Sequence, residues 1–402
     1  MTKTIIGLVI LVSIALVGYR KTFVRLPLPS GARFFFLTGT EFIFIGLALG
    51  DQFMGLLDHA TIARLGPLFS LGLGYFGLVF GLQFEKEKVS RFPRAFFSAA
   101  LIQATVTFLL VFVPFIWLLH QMRFDMPAVA LAMAIGAVAC CTSPTIIALI
   151  VNEGGHRTNS NVDLIRYIAG FDPLLGFTFF GLAACALYAA PSPLGIDFLP
   201  FLQWIGVSIV FGISMGFLLH LLIQVHCAED ELWVFIIGII TFTGGVAIFF
   251  SLSPLFVNMI AGVTAANLPG SKDRVFMAVA RQEKPFYIVF LILAGAVWQP
   301  AAGISIALAA AYLFFRTCGK ILGGYAAARF IAKDVKAPPW FGLVFLSQSG
   351  VAIAMAMDLY LAGSSPLMNQ VVGMLVIAVI INELISPEIT RKLLTRTWGE
   401  VG

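Results

Sequence analysis

The stretch MPAVALAMAIGAVACCTSPTIIALIV, from Met126 to Val151, is long and apolar enough to cross a bilayer, yet small polar residues and a proline interrupt it. The interruption is Cys140-Cys141-Thr142-Ser143-Pro144-Thr145. Apolar residues on both sides place it at mid-depth, where hydrocarbon offers no partner to a loosened backbone. Such a break persists only where it is buried in protein or lines a watery cavity. A single break has a local cause: hydroxyls satisfy their own helix carbonyls and Pro144 kinks the helix. A second break in a corresponding position counts against so local a cause. Residues 338–361 contain one, Leu346-Ser347-Gln348-Ser349-Gly350, again short, polar and carrying a helix breaker.

The rest of the chain agrees with a lipid environment. Of its 402 residues 60% are hydrophobic and 11% charged, against about 45–50% and about 25% for soluble domains. Mean hydropathy is +0.98. These values exclude a cytosolic enzyme, a disordered chain and a nucleic-acid binder. Thirteen spans are readable: 4–19, 33–49, 65–84, 95–119, 126–151, 160–189, 199–225, 231–251, 253–267, 284–299, 302–330, 338–361 and 367–390. Segment 4–19 has no small-residue cleavage site and its stronger charge follows it, so it reads as an uncleaved helix. With the N-terminus outside and the C-terminus cytoplasmic, only Lys3, Arg64 and Arg123 among the basic residues outside the spans fall on the outer face. That asymmetry, and not a polyanionic partner, accounts for the net charge of +5. The longest loops, around 85–94 and 268–283, are too short to fold alone.

An odd span between two sets of six forces the second set to insert upside down relative to the first. The expected organisation is therefore a repeat over 1–190 with its break at 140–145, a linker helix within 191–230, and an inverted repeat over 231–402 with its break at 347–350. Transporters of that design bind at discontinuous helices in matching positions. The fold class expected is an all-α polytopic membrane protein.

Charges inside the spans need a reason, since each costs at least ~2.5–3.5 kcal/mol at the bilayer centre. Asp172 stands in Ile168-Ala169-Gly170-Phe171-Asp172-Pro173-Leu174, and Pro173 cannot donate to the carbonyl of Ala169. A carboxylate beside a loosened backbone suits a cation, and a buried one can hold a proton in its place. The alternative is a structural Asp paired with a basic residue. Arg316 and Lys320 share a helix face at i, i+4 spacing and could neutralise carboxylates or set the field that tunes Asp172; Lys320 is the deeper, and Arg316 reads equally as a snorkelling surface residue. Glu41 stands isolated and reads as either a cavity or a subunit-contact residue, Glu383 looks structural, and Asp358 belongs near an outer interface. Glu153, Asp163 and Arg166 crowd the inner ends of two spans, where a funnel would open. The cysteines show no metal or disulfide spacing, and no His stands mid-span with a Ser or Cys partner, so neither an enzyme nor a resident cofactor is expected.

Several segments together resemble the monovalent cation/proton antiporter superfamily, the sodium/proton exchangers. They are Leu65-Gly66-Pro67 followed by Val79-Phe80-Gly81-Leu82-Gln83, then Thr142-Ser143-Pro144-Thr145, Glu153-Gly154-Gly155, Ala261-Gly262-Val263-Thr264-Ala265-Ala266-Asn267 and Asn382-Glu383-Leu384-Ile385-Ser386-Pro387. By position, Asp172 matches the family's ion-binding aspartate and Lys320 the basic residue of the helix before the second crossing. The resemblance implies two crossed unwound helices in a core domain, a second domain that forms a homodimer, and elevator-type alternating access. Two positions depart from the family: Phe171 replaces its Asn or Asp, and Gln83 its Glu. Phe171 leaves one carboxylate there and points to one-for-one exchange.

The expected function is thus exchange of Na⁺ or K⁺ for H⁺ across a lipid bilayer, of the bacterial inner membrane. Asp172 with Thr142, Ser143 and Thr145 would supply the oxygen shell, Gln348 and Ser349 would line the second crossing, and Lys320 would tune the charge. The alternative is a sodium-coupled organic-solute symporter of bile-acid type on the same architecture, against which the central carboxylate counts. A channel would show a polar stripe or filter repeat, and none is visible.

Overall fold

The computed structural model describes residues 2–20, 39–90, 92–122, 128–153, 160–187, 201–224, 229–269, 272–280, 282–299, 303–331, 339–348, 350–363 and 366–398. In chain order the helices are α1 (Thr2–Arg20), α2 (Phe42–Leu49), α3 (His59–Arg64), α4 (Gly66–Leu82), α5 (Lys86–Ser90) and α6 (Arg94–Gln121). There follow α7 (Ala128–Cys140), α8 (Pro144–Glu153), α9 (Ser160–Leu187), α10 (Phe201–Gln224), α11 (Glu229–Phe249) and α12 (Pro254–Asn267). The chain continues through α13 (Lys272–Ala280), α14 (Glu283–Val297) and α15 (Gly303–Ala326), which ends in a π-helical turn at Ala327–Ile331. A 3₁₀ helix (Phe341–Phe345), α16 (Gly350–Ala362) and α17 (Pro366–Trp398) complete it.

Seven of the described helical segments are long and apolar enough to cross a membrane by length and composition. The chain is an integral, multi-pass membrane protein. Four further apolar helices are shorter, and of the expected span 33–49 residues 39–49 are described, with the helix at Phe42–Leu49.

Both expected breaks are present. Pro144 can open a helix but lacks the N–H to continue one, so α7 stops at Cys140 and α8 restarts at Pro144. The 3₁₀ helix likewise stops at Phe345 and α16 begins at Gly350. The two gaps touch, for the backbone N–H of Ser143 donates to the carbonyl of Ser347 at 3.0 Å.

The helices sort into two bundles around this point. In one, α6, α7, α9 and α15 pack on one another, and the 3₁₀ helix, α16 and α17 close over the breaks. In the other, α4, α10, α11 and α12 pack together, with α1, α2 and α14 alongside. Lipid tails are as apolar as the side chains, so membrane helices are held by close backbone approach. At Gly81 a side chain would sit 2.2 Å from the carbonyl of Met259, and α4 lies directly on α12 for want of one.

Candidate functional site

A helix that ends inside the membrane leaves its last carbonyls without partners and a partial negative charge at its C-terminus. Here two such ends meet, α7 at Cys140 and the 3₁₀ helix at Phe345. Two basic side chains one turn apart on α15 answer them. Arg316 donates from Nε to Ala139 (3.1 Å), from Nη1 to Leu346 (2.7 Å) and from Nη2 to Cys141 (3.0 Å), all backbone carbonyls. One guanidinium therefore ties both breaks together. It is fully buried, which corrects the surface reading: the planar fork can satisfy several carbonyls at once, and that repays its burial.

Lys320 sits one turn deeper. Its ammonium donates to the carbonyl of Cys140 at 2.7 Å, to the hydroxyl of Thr142 at 2.9 Å and to Oδ2 of Asp172 at 2.8 Å. The Thr142 hydroxyl in turn donates to the same Oδ2 at 2.6 Å. Asp172 and Lys320 form an ion pair with neither side chain exposed. Both readings of Asp172 thus meet at one place, since it is paired with a base and also lies on the first break. Its other oxygen, Oδ1, is buried with no hydrogen-bond partner among the described residues.

Phe171 turns away from this centre. It stacks on Tyr167 (ring centroids 5.7 Å apart, 6° between planes) and meets Phe97 edge-on at 5.1 Å. No second carboxylate or amide from that position reaches Asp172.

The remaining expected residues lie on a cavity of about 380 Å³ that ends against the two breaks and is bordered by Ser143, Thr145 and Gln348. Thr145 is exposed on its wall and Asp172 is not among its lining residues. The expected oxygen shell is therefore divided: Thr142 is on the carboxylate, whereas Ser143 and Thr145 face the cavity. Gln348 donates to the hydroxyl of Tyr312 at 2.9 Å and accepts from the amide of Asn382 at 2.8 Å. Ser349 and the side chain of Glu153 lie outside the described residues. Arg166 donates to Asn152 at 3.3 Å, away from the pair.

Three carboxylates and one ammonium also border the cavity, from Glu41, Glu283, Glu383 and Lys284. Of the two readings of Glu41, the cavity one is met. Helix α2 lies on α14, which carries Glu283 and Lys284, a proximity that no local pattern around Glu41 encodes. Among the described residues no group of three or more His, Cys, Asp or Glu side chains is placed to hold a metal ion. Sequence reasoning missed the parts played by Arg316, Tyr312 and Asn382. The signal for Arg316 was present in the two breaks themselves, whose free carbonyls demand donors.

No family model matches the chain. The chain is 21% identical over 320 residues, 78% of its own length and 78% of the relative's, to the ammonium/H⁺ antiporter subunit AmhT of Alkalihalophilus pseudofirmus. Its fold is that of the sodium proton antiporter MjNhaP1 from Methanocaldococcus jannaschii, whose structure at pH 8 it matches with TM-score 0.62 and 14% identity over 98% of this chain and 99% of that one. An electron-microscopy structure of the same antiporter matches with TM-score 0.61 and 13% identity, over 99% and 97%. The resemblance carried by the sequence motifs is met at the level of the fold.

Proposed function

We propose that this protein exchanges a monovalent cation for H⁺ across the membrane, with Asp172 holding one or the other. The observation that carries the reading is the sealed Asp172–Lys320 pair between two broken helices, with Oδ1 of the carboxylate unpartnered among the described residues. Hard cations take oxygen ligands, and Oδ1, the Thr142 hydroxyl and the carbonyls of the break are oxygens. A proton on Asp172 removes the charge that such a cation needs. Occupation by one ion thus excludes the other, and the gradient of either drives its counterpart.

The cavity gives water and ions a route towards the breaks, with Ser143, Thr145 and Gln348 at its inner end. We assign these residues, with Ser349, to the path rather than to the carboxylate's own contacts. Alternating access then needs the bundle that carries Asp172 to move against the bundle of α4 and α12, an elevator-type motion. Two inverted repeats, 1–190 and 231–402 around a linker in 191–230, account for breaks in matching positions. A homodimer, a bacterial inner membrane and an outside N-terminus follow from the resemblance and from the distribution of Lys and Arg.

The test is proton movement in proteoliposomes loaded with a pH-sensitive dye. Na⁺, K⁺, Li⁺ and ammonium are added in turn, because the similar proteins are named for sodium and for ammonium. Cation-dependent proton movement is expected in the wild type and none in Asp172→Asn, which keeps the side-chain shape and remains folded. Exchange retained by folded Asp172→Asn refutes the assignment.

A further inference from the structure

The cavity is lined from the Gly18 end of α1, the Gln83 end of α4 and the Glu283 start of α14, which places it towards one end of the molecule, and two helices measure where the other end lies. Helix α16 starts at Gly350 on the cavity wall. Asp358 is eight residues further on, about 12 Å along the axis at ~1.5 Å per residue. Helix α12 gives the same answer from the other bundle. Asn267 at its C-terminus donates to the carbonyl of Phe84, beside the cavity-lining Gln83. Ser253 caps the opposite end, its Oγ accepting from the N–H of Phe256 at 3.1 Å. At this far end the hydroxyl of Ser253 donates to Oδ2 of Asp358 at 2.5 Å, and both residues are buried. Asp358, expected near an outer interface, is therefore buried between helices there. It joins the two bundles. Two weaker polar contacts also cross between the bundles, Cys185 with Ser208 at 3.7 Å and His59 with Tyr360 at 3.4 Å, and apolar contacts fill in between, with Gly181 on the ring of Phe256 and Phe80 against Phe177.

We propose that the Ser253–Asp358 hydrogen bond is a latch that holds the far side of the site closed while the cavity side is open. Apolar surfaces slide past one another with little directional preference, whereas a buried carboxylate that gives up a donor loses a bond with fixed geometry. Opening a path from the far side separates α16 from α12 and breaks this bond, so the latch weights the protein towards the cavity-open arrangement. Ser253 and Asp358 act as positioning residues, since neither touches the Asp172 centre. The proposal rests on the exchange reading only in requiring that the two bundles move.

The latch is tested first without transport. Amide hydrogen exchange of the purified full-length protein is compared between wild type and Asp358→Val, which leaves the Ser253 cap in place. Exchange about tenfold faster in 253–257 and 355–361, with residues 146–151 of the cavity wall unchanged, is expected for loss of one such bond. An unchanged pattern, or acceleration spread over the whole chain, overturns the latch. A second variant tests it in transport: Ser253→Cys combined with Asp358→Cys, joined by a short thiol cross-link in proteoliposomes. Cation/H⁺ exchange is expected to stop when joined and resume on reduction of the link, and exchange at the unlinked rate while joined overturns the latch. If the unlinked protein moves no protons with any cation, the exchange reading fails, and hydrogen exchange still decides the latch.

Discussion

Arg316 donates to carbonyls on both sides of the crossing, and that position makes its loss specific. Arg316→Met keeps an unbranched apolar stem without the guanidinium and strands the carbonyls of Ala139, Cys141 and Leu346 in a buried place. We expect a stability loss of about 3 kcal/mol or more, seen as a lower melting temperature in detergent. Arg316→Lys should recover little of it, because one ammonium cannot reach carbonyls on both broken helices. Asp172 gives a different signature, in binding rather than in stability. On the proposal that H⁺ and cation share this carboxylate, acidification should raise the apparent KM for the cation, approaching about tenfold per pH unit once the proton dominates. Initial exchange rates across a pH series check this, and a KM that ignores pH places the competition elsewhere. Asp172 was legible because a carboxylate beside a proline in an apolar span is too costly to sit there without a bound partner. Arg316 was legible only indirectly, because its partners are backbone carbonyls, which the two breaks imply but no residue type marks.

The elements of the site were legible to different depths for the same kind of reason. Pro144 and Gly350 announce the breaks in α7–α8 and before α16 by chemistry that every helix obeys. The sorting of helices into two bundles was not legible, because almost every helix is apolar all round and its sequence does not say which face meets protein and which meets lipid. What fixes the approach is steric. At Gly342 in the 3₁₀ helix a side chain would lie 1.7 Å from the carbonyl of Lys320, so the second break rests directly on the helix that carries the ammonium. Gly342→Ala must push these elements apart, at a cost of about 1–3 kcal/mol for overpacking. The displacement moves Lys320 relative to Asp172, and exchange should fall at least tenfold while the folded protein is still recovered from the membrane. Normal exchange in Gly342→Ala would show that the spacing between α15 and the second break is not critical.

For the molecule as a whole the electrical character of exchange follows from how Lys320 is held. Its three donors reach Cys140, Thr142 and Asp172, so two of its contacts survive when the carboxylate turns to a cation. An ammonium that keeps a carbonyl and a hydroxyl stays protonated through the cycle. On the proposed mechanism Asp172 is then the group that changes its ion, and Phe171, packed against Tyr167 and Phe97, contributes no second carboxylate beside it. On that mechanism one cation would move one way for one proton the other way, and no net charge would cross. Exchange in proteoliposomes should therefore run at the same rate whether the membrane potential is clamped near zero or imposed inside-negative. A rate that rises or falls with the imposed potential would mean that charge crosses in each cycle. The first group to examine would then be Lys320, which would have to surrender its proton when the cation takes Asp172, and Lys320→Gln should in that case remove the dependence on potential.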